Sequence, residues 1–181
     1  YNVYFNFQLG KFIIFILLLP LVCLIGIVTN FLTFWTIYKN RKDELKLKFY
    51  ELIMIISFLN MLYSFIHILN LFNECVVYNG IYCSTVYTTE IAQYFKIIIV
   101  HYLGNLIKFN SNFTYIIMLI NKYQAINNES RKFIKTISSI NTKNLMVSSF
   151  LLSILINFIK IFEYEINLDE ETLSYPLSYL V

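Results

Sequence analysis

The sequence predicts an all-α membrane helix bundle. Three observations predict it: an apolar composition, long runs without charge, and basic loops that alternate with loops lacking basic residues. Of the 181 residues, 58% are hydrophobic and 14% charged, with a mean hydropathy of +0.63. Soluble domains carry about 25% charged residues. This chain has too little polar surface to cover a soluble fold, so a bilayer is its natural solvent. With 4 glycines and 2 prolines, collagen-like and low-complexity classes are excluded. The net charge of +3 is small, and its placement carries the information.

The first helix is expected over 12–38. No charge occurs between Lys11 and Lys39. At 1.5 Å per residue such a run reaches about 40 Å, enough to cross a hydrocarbon core of roughly 30 Å with tilt. It is too long for a signal-peptide core of about 7–15 residues. Pro20 is expected to bend it. The second helix, 50–73, lies between Glu51 and Glu74 with His67 as its one imidazole. The third, 91–125, is more polar and holds Lys96, His101 and Lys108. The fourth, 144–162, is the weakest; its charge-free stretch is short, and Lys160 extends it by snorkelling. The chain starts at Tyr1 and stops at Val181 inside a polar stretch, so it reads as one domain, 1–181, of a longer protein.

The loops set the topology. The loop after helix one holds Lys39, Arg41, Lys42, Lys46 and Lys48, and the loop after helix three holds Arg131, Lys132, Lys135 and Lys143. The loop after helix two and the tail after helix four hold no Lys or Arg, and the tail carries Glu163, Glu165, Asp169, Glu170 and Glu171. Basic residues stay cytoplasmic. A multi-pass protein with an extracellular N-terminus follows, and membrane lipid is its first partner.

Cys23 reads as a small apolar core residue. Cys75 and Cys83 fall in the loop after helix two, where oxidation is permitted. They pair with each other, or one pairs with a cysteine beyond Val181. Two sequons, at Asn112 and Asn128, lie in the bilayer and the cytosol on this topology and are expected to carry no sugar.

Polar residues inside the helices fall on faces. His101, Asn105, Lys108, Asn112, Tyr115 and Leu119 form one stripe on helix three, at spacings of three and four. Such a stripe suggests a central helix packed on several sides. Gly26, Asn30 and Thr33 share a face of helix one, and Ser57, Asn60, Ser64 and His67 share one of helix two. These groups either glue helices together or build a polar interior. Lys108 is different, because a lysine in mid-span costs roughly 2.5–3.5 kcal/mol. It needs a carboxylate, carbonyls or a wet cavity, and no acidic residue lies inside the central spans. His101 reads as a ligand contact or a pH-sensitive group.

The sequence Gly26-Ile27-Val28-Thr29-Asn30 resembles the first helix of rhodopsin-like G-protein-coupled receptors. Ser57-Phe58-Leu59-Asn60 stands where that family has a leucine-rich segment ending in aspartate. Asn121-Lys122-Tyr123, followed by Gln124-Ala125-Ile126, stands at its Asp-Arg-Tyr triplet. The resemblance covers nearly the whole chain as the first four helices of a seven-transmembrane receptor, closest to divergent invertebrate orphan or peptide-type receptors. It departs from the family at Asn60 for aspartate, Asn121 for the acid and Lys122 for arginine; the helix-four tryptophan is absent, the sole Trp being Trp35, and no cysteine stands at the outer end of helix three.

The resemblance implies a plasma-membrane receptor. It would bind an extracellular small molecule or peptide at His101, Gly104, Asn105 and Lys108. It would engage a heterotrimeric G protein through Asn121, Lys122 and Tyr123. Asn30, Asn60 and Ser111 would form an interior polar network. The rival reading is a fragment of a multi-span transporter or channel with a polar path along helix three. A tetraspanin-type scaffold would place both termini in the cytosol, against the charge pattern. No nucleophile–base pair, phosphate-cradling loop or metal-ligand cluster is present in the sequence. Neither an enzyme nor a cofactor or metal site is expected, and the basic residues flank membrane helices rather than suit nucleic acid.

Overall fold

The computed structural model describes residues 9–10, 13–40, 48–71, 75–76, 82–83, 89–126, 132–158, 164–166 and 178–180. Helix dominates. A π-helical stretch, Ile13–Leu18, leads into α1, Leu19–Asn40. Pro20 has no N–H for the carbonyl of Ile16, and its ring crowds that carbonyl, so the turn before it is wound wide. Next come α2, Lys48–Asn70, and a two-strand pair, β1 Cys75–Val76 with β2 Tyr82–Cys83. A helical run follows: α3 Glu90–Phe95, a π-helical stretch Lys96–Leu103, and α4 Gly104–Ile126. Then come α5 Lys132–Ser139, α6 Thr142–Asn157, and the antiparallel pair β3 Tyr164–Ile166 and β4 Ser178–Leu180.

The expected helices are therefore present, with shifted ends. The first continues to Asn40, the second starts at Lys48 and ends at Asn70, and the third begins at Glu90. The fourth ends as α-helix at Asn157; Lys160 and the rest of its expected end lie outside the described residues. The short helix α5 and both strand pairs fall in stretches read from the sequence as loops. Among the described residues, two helical segments, Ile16–Asn40 and Lys48–Asn70, are long and apolar enough to cross a membrane. Helix α6, at 16 residues, spans only about 24 Å.

Side chains fix the helix starts. Thr89 caps α3, its Oγ1 accepting from the Ala92 N–H at 3.4 Å. Asn141 caps α6 in the same way, its Oδ1 accepting from the Lys143 N–H at 3.0 Å.

The chain divides into two compact units, one of 1–26, 64–105 and 157–181, the other of 27–63 and 106–156. In the first, Cys23, Ile66, Ala92, Ile97 and Val100 are buried, while Leu17, Leu21, Leu24 and Ile91 are exposed. Gly26 lets α1 approach α2 here: a Cβ on it would sit 3.0 Å from the Ser64 hydroxyl oxygen.

In the second unit, Leu52, Ile117 and Leu145 form an apolar cluster, with Phe113, Met118 and Ile137 against it. Around this cluster the usual polarity is reversed. Thr142, Leu145, Ser149 and Ser153 are the buried seam of α6, spaced by three and four, while Val147, Phe150, Leu151, Leu152 and Leu155 face outward. Ser153 is 0% exposed and Leu155 72%. A soluble helix buries its apolar stripe. Small and polar residues inside, with large apolar ones outside, is the packing that lipid favours. On α1, Val28, Phe31, Leu32 and Trp35 are exposed in the same manner.

Candidate functional site: the polar faces of α4

Residues of α4 in the second unit carry two polar faces with different fates. One is packed. Leu106, Asn110, Thr114 and Ile117 repeat at helical spacing, and all are buried. They meet α6 running the other way. The Ser149 hydroxyl donates to Asn110 Oδ1 at 2.7 Å, and Ser153 approaches the Leu106 carbonyl at 3.4 Å. Asn110 also donates through Nδ2 to the Leu106 carbonyl at 2.8 Å. Thr114 Oγ1 lies 2.7 Å from the Asn110 carbonyl and 3.5 Å from Met146 Sδ. A hydroxyl has one proton, so the shorter contact takes it and the sulfur is a polarisable neighbour.

A second junction joins α4 to α2. Ser111 donates to Asn60 Oδ1 at 2.7 Å, and Asn60 Nδ2 donates to the Tyr115 hydroxyl at 3.3 Å. Two members of the expected interior network, Asn60 and Ser111, thus meet directly. The asparagine is neutral and its oxygen is already accepting, so this junction fixes helix register and offers no anionic ligand. Asn30, the third member, is half-buried on α1.

The other face of α4 is largely exposed, touching α2 only at its margin through Tyr115 and Lys108. Lys108, Asn112, Tyr115 and Leu119 are all exposed. At 100° per residue this row lies roughly opposite the packed one. The stripe was expected to mark a central helix packed on several sides; within this unit α4 meets α6 through the Leu106–Asn110–Thr114–Ile117 row and α2 through Ser111 and Tyr115. Lys108 nevertheless has a partner. Its Nζ stands 5.1 Å from the centroid of the Tyr63 ring on α2. That is a cation–π distance. Counting only carboxylates, carbonyls and water missed it, because the face of an aromatic ring was left out as a partner for a cation.

Among the other expected ligand-facing residues, His101 is half-buried in the π-helical stretch of the first unit, Gly104 is buried and Asn105 exposed. At the far end of α4, Asn121 turns its amide back onto its own helix, donating to the Ile117 carbonyl at 2.9 Å, while Lys122 and Tyr123 are exposed. Lys48, at the start of α2, donates to the Ile140 carbonyl at 2.7 Å and so ties down the turn before α6. Cys75 and Cys83 stand opposite each other in the β1–β2 register. Among the described residues no cluster of His, Cys, Asp and Glu is able to hold a metal ion.

Comparisons with protein-family models, curated proteins and solved structures give no match.

Sequence reasoning passed over Asn110, Thr114, Ser149 and Ser153. A signal was available for α6: Thr142, Ser149 and Ser153 repeat at sevens and fours, while Val147, Phe150, Leu151, Leu152 and Leu155 lie off that row.

Proposed function

We propose that this chain comprises the first four helices of a rhodopsin-like seven-helix receptor in the plasma membrane, with its N-terminus outside, coupling an extracellular ligand to a heterotrimeric G protein. The exposed face of α4 carries the reading. Lys108 and Asn112 lie on a helix whose surroundings are otherwise turned apolar side out. Lipid solvates neither group, so that face requires further helices or a water-filled cavity. A receptor supplies both: three more helices, and a ligand pocket among them. The order of the motifs at Asn30, Asn60 and Asn121-Lys122-Tyr123, and the alternation of basic loops, support the same assignment.

On this reading Lys108 meets an acidic group of a small-molecule or peptide ligand. Binding selects an active packing of the helices to the extent that the ligand prefers it. Lys122 and Tyr123, exposed at the end of α4, then contact the G protein. Lysine carries the charge of the family's arginine without its planar fork.

The test uses the full-length protein in membranes. Ligand-independent nucleotide exchange on added G protein is measured for the natural sequence and for Lys122→Ala. Loss of most of the activity is expected; unchanged activity removes the coupling role. The second reading, a transporter or channel, rests on the same exposed row serving as a polar path. Solute flux or ionic current that disappears in Lys108→Met, without any nucleotide exchange, would favour it.

A further inference from the structure

The two extracellular-loop cysteines occupy one rung of a strand pair. β1 and β2 run antiparallel with Cys75 opposite Cys83 and Val76 opposite Tyr82. Directly opposed residues of an antiparallel pair have Cα atoms about 4.5 or 5.5 Å apart and share a face of the ladder. A disulfide requires Cα atoms about 4.4–6.8 Å apart. The backbone register therefore meets the Cα-separation requirement of a disulfide.

We propose that Cys75 and Cys83 form an intraloop disulfide that locks the β1–β2 hairpin between the second and third helices. The proposal rests on the orientation given above, which places this loop outside the cell. The loop has no Lys or Arg between Asn73 and Glu90, so nothing in it retains it in the cytosol. The reaction is thiol–disulfide exchange with a disulfide-bearing donor. One Sγ–Sγ bond forms between Cys75 and Cys83, and the donor's S–S bond breaks. Two protons and two electrons pass to the donor, which leaves as a dithiol. A bond across one rung closes a short loop. It holds the two strands in a single register, where a pair of two-residue strands has few hydrogen bonds of its own.

The test is made on the full-length protein in intact cells, in a Cys23→Ala background. A membrane-impermeant maleimide is applied with and without a membrane-impermeant reductant, and labelled sites are assigned by peptide mapping. The expected result is no label on Cys75 or Cys83 before reduction and label on both after it. In Cys75→Ser, Cys83 should label without reductant, and the reciprocal variant should behave alike. Because a variant can fail to fold, the unsubstituted chain is also digested with chymotrypsin. Tyr78 and Tyr82 lie between the cysteines, so the two peptides should remain joined until reduced. Label on both cysteines in intact cells before reduction overturns the pairing and leaves the orientation standing. A Cys83 still blocked in Cys75→Ser overturns it too, by showing another partner. Label that appears only after permeabilisation overturns the orientation and, with it, the receptor reading.

Discussion

Removing the hydroxyl of Ser149 tests the inverted packing most directly. Ser149 is 1% exposed and Asn110 2%. Their hydrogen bond is 2.7 Å long, and Asn110 Oδ1 has no other donor among the described contacts. Ser149→Ala therefore strands a buried carbonyl oxygen on α4. Hydrogen bonds between membrane helices average about 0.6 kcal/mol and reach about 1.7. A site this dry belongs near the upper end, so a loss of about 1–1.5 kcal/mol is expected, or roughly tenfold in the folding equilibrium. Asn110→Leu should cost less through this bond, because the serine left behind can turn its hydroxyl back to a carbonyl four residues earlier on its own helix. The double variant should cost less than the sum of the two, since removing both partners leaves nothing unsatisfied. Reversible unfolding in mixed micelles measures all four proteins. Costs that add to within about 0.3–0.5 kcal/mol would mean that the two side chains do not act together, and the packing argument would fail.

Other predictions follow from the same geometry. Gly26→Val should destabilise the α1–α2 contact by about 1–3 kcal/mol through overpacking, and Ser64→Ala should restore part of it; thermal unfolding of the paired variants checks this. Tyr63→Leu should cost about 0.5–1 kcal/mol more when Lys108 is present than in a Lys108→Met background, again read by unfolding. Trp35, the only tryptophan, is 53% exposed on α1. In nanodiscs its emission should be blue-shifted and quenched by brominated lipid, and red, unquenched emission would place that face in water. A carboxylate-bearing ligand should bind Lys108→Gln more weakly than the natural protein, whereas equal affinity in direct binding would discard the ion pairing.

The helices were legible because long charge-free runs leave few alternatives. A run such as Lys11 to Lys39 without a charge has few other uses, and α1 occupies most of it. Which face of helix three packs was not legible. Asn105, Lys108 and Asn112 mark one side, and Asn110, Ser111 and Thr114 mark another. In a soluble helix the more polar side would be the outer one. In a bilayer polarity marks whatever is not lipid-facing, and both sides qualify. The contact that separated them was Ser149 with Asn110, which joins positions 39 apart in the chain and leaves no local trace. Asn60 and Ser111 were named together through a family likeness, and they are bonded; no spacing rule would have paired them. The short elements escaped for another reason. A strand of two residues has no period to detect, and eight residues of α5 cover little more than two turns.

The wide-wound stretch Lys96–Leu103 has a consequence for how this chain tolerates change in length. The Gly104 N–H is shared between the carbonyls of Ile99 and His101, where an α-helix would use Val100. Each such turn stores a surplus residue relative to α winding. Deleting one residue there lets the backbone tighten into ordinary α-helix and leaves the faces of Gly104–Ile126 undisturbed. The same deletion between Leu106 and Ile117 swings everything after it by about 100°, carrying Thr114 and Ile117 away from Met146 and Leu145. Insertions and deletions should therefore be absorbed at Lys96–Leu103 and rejected one turn later.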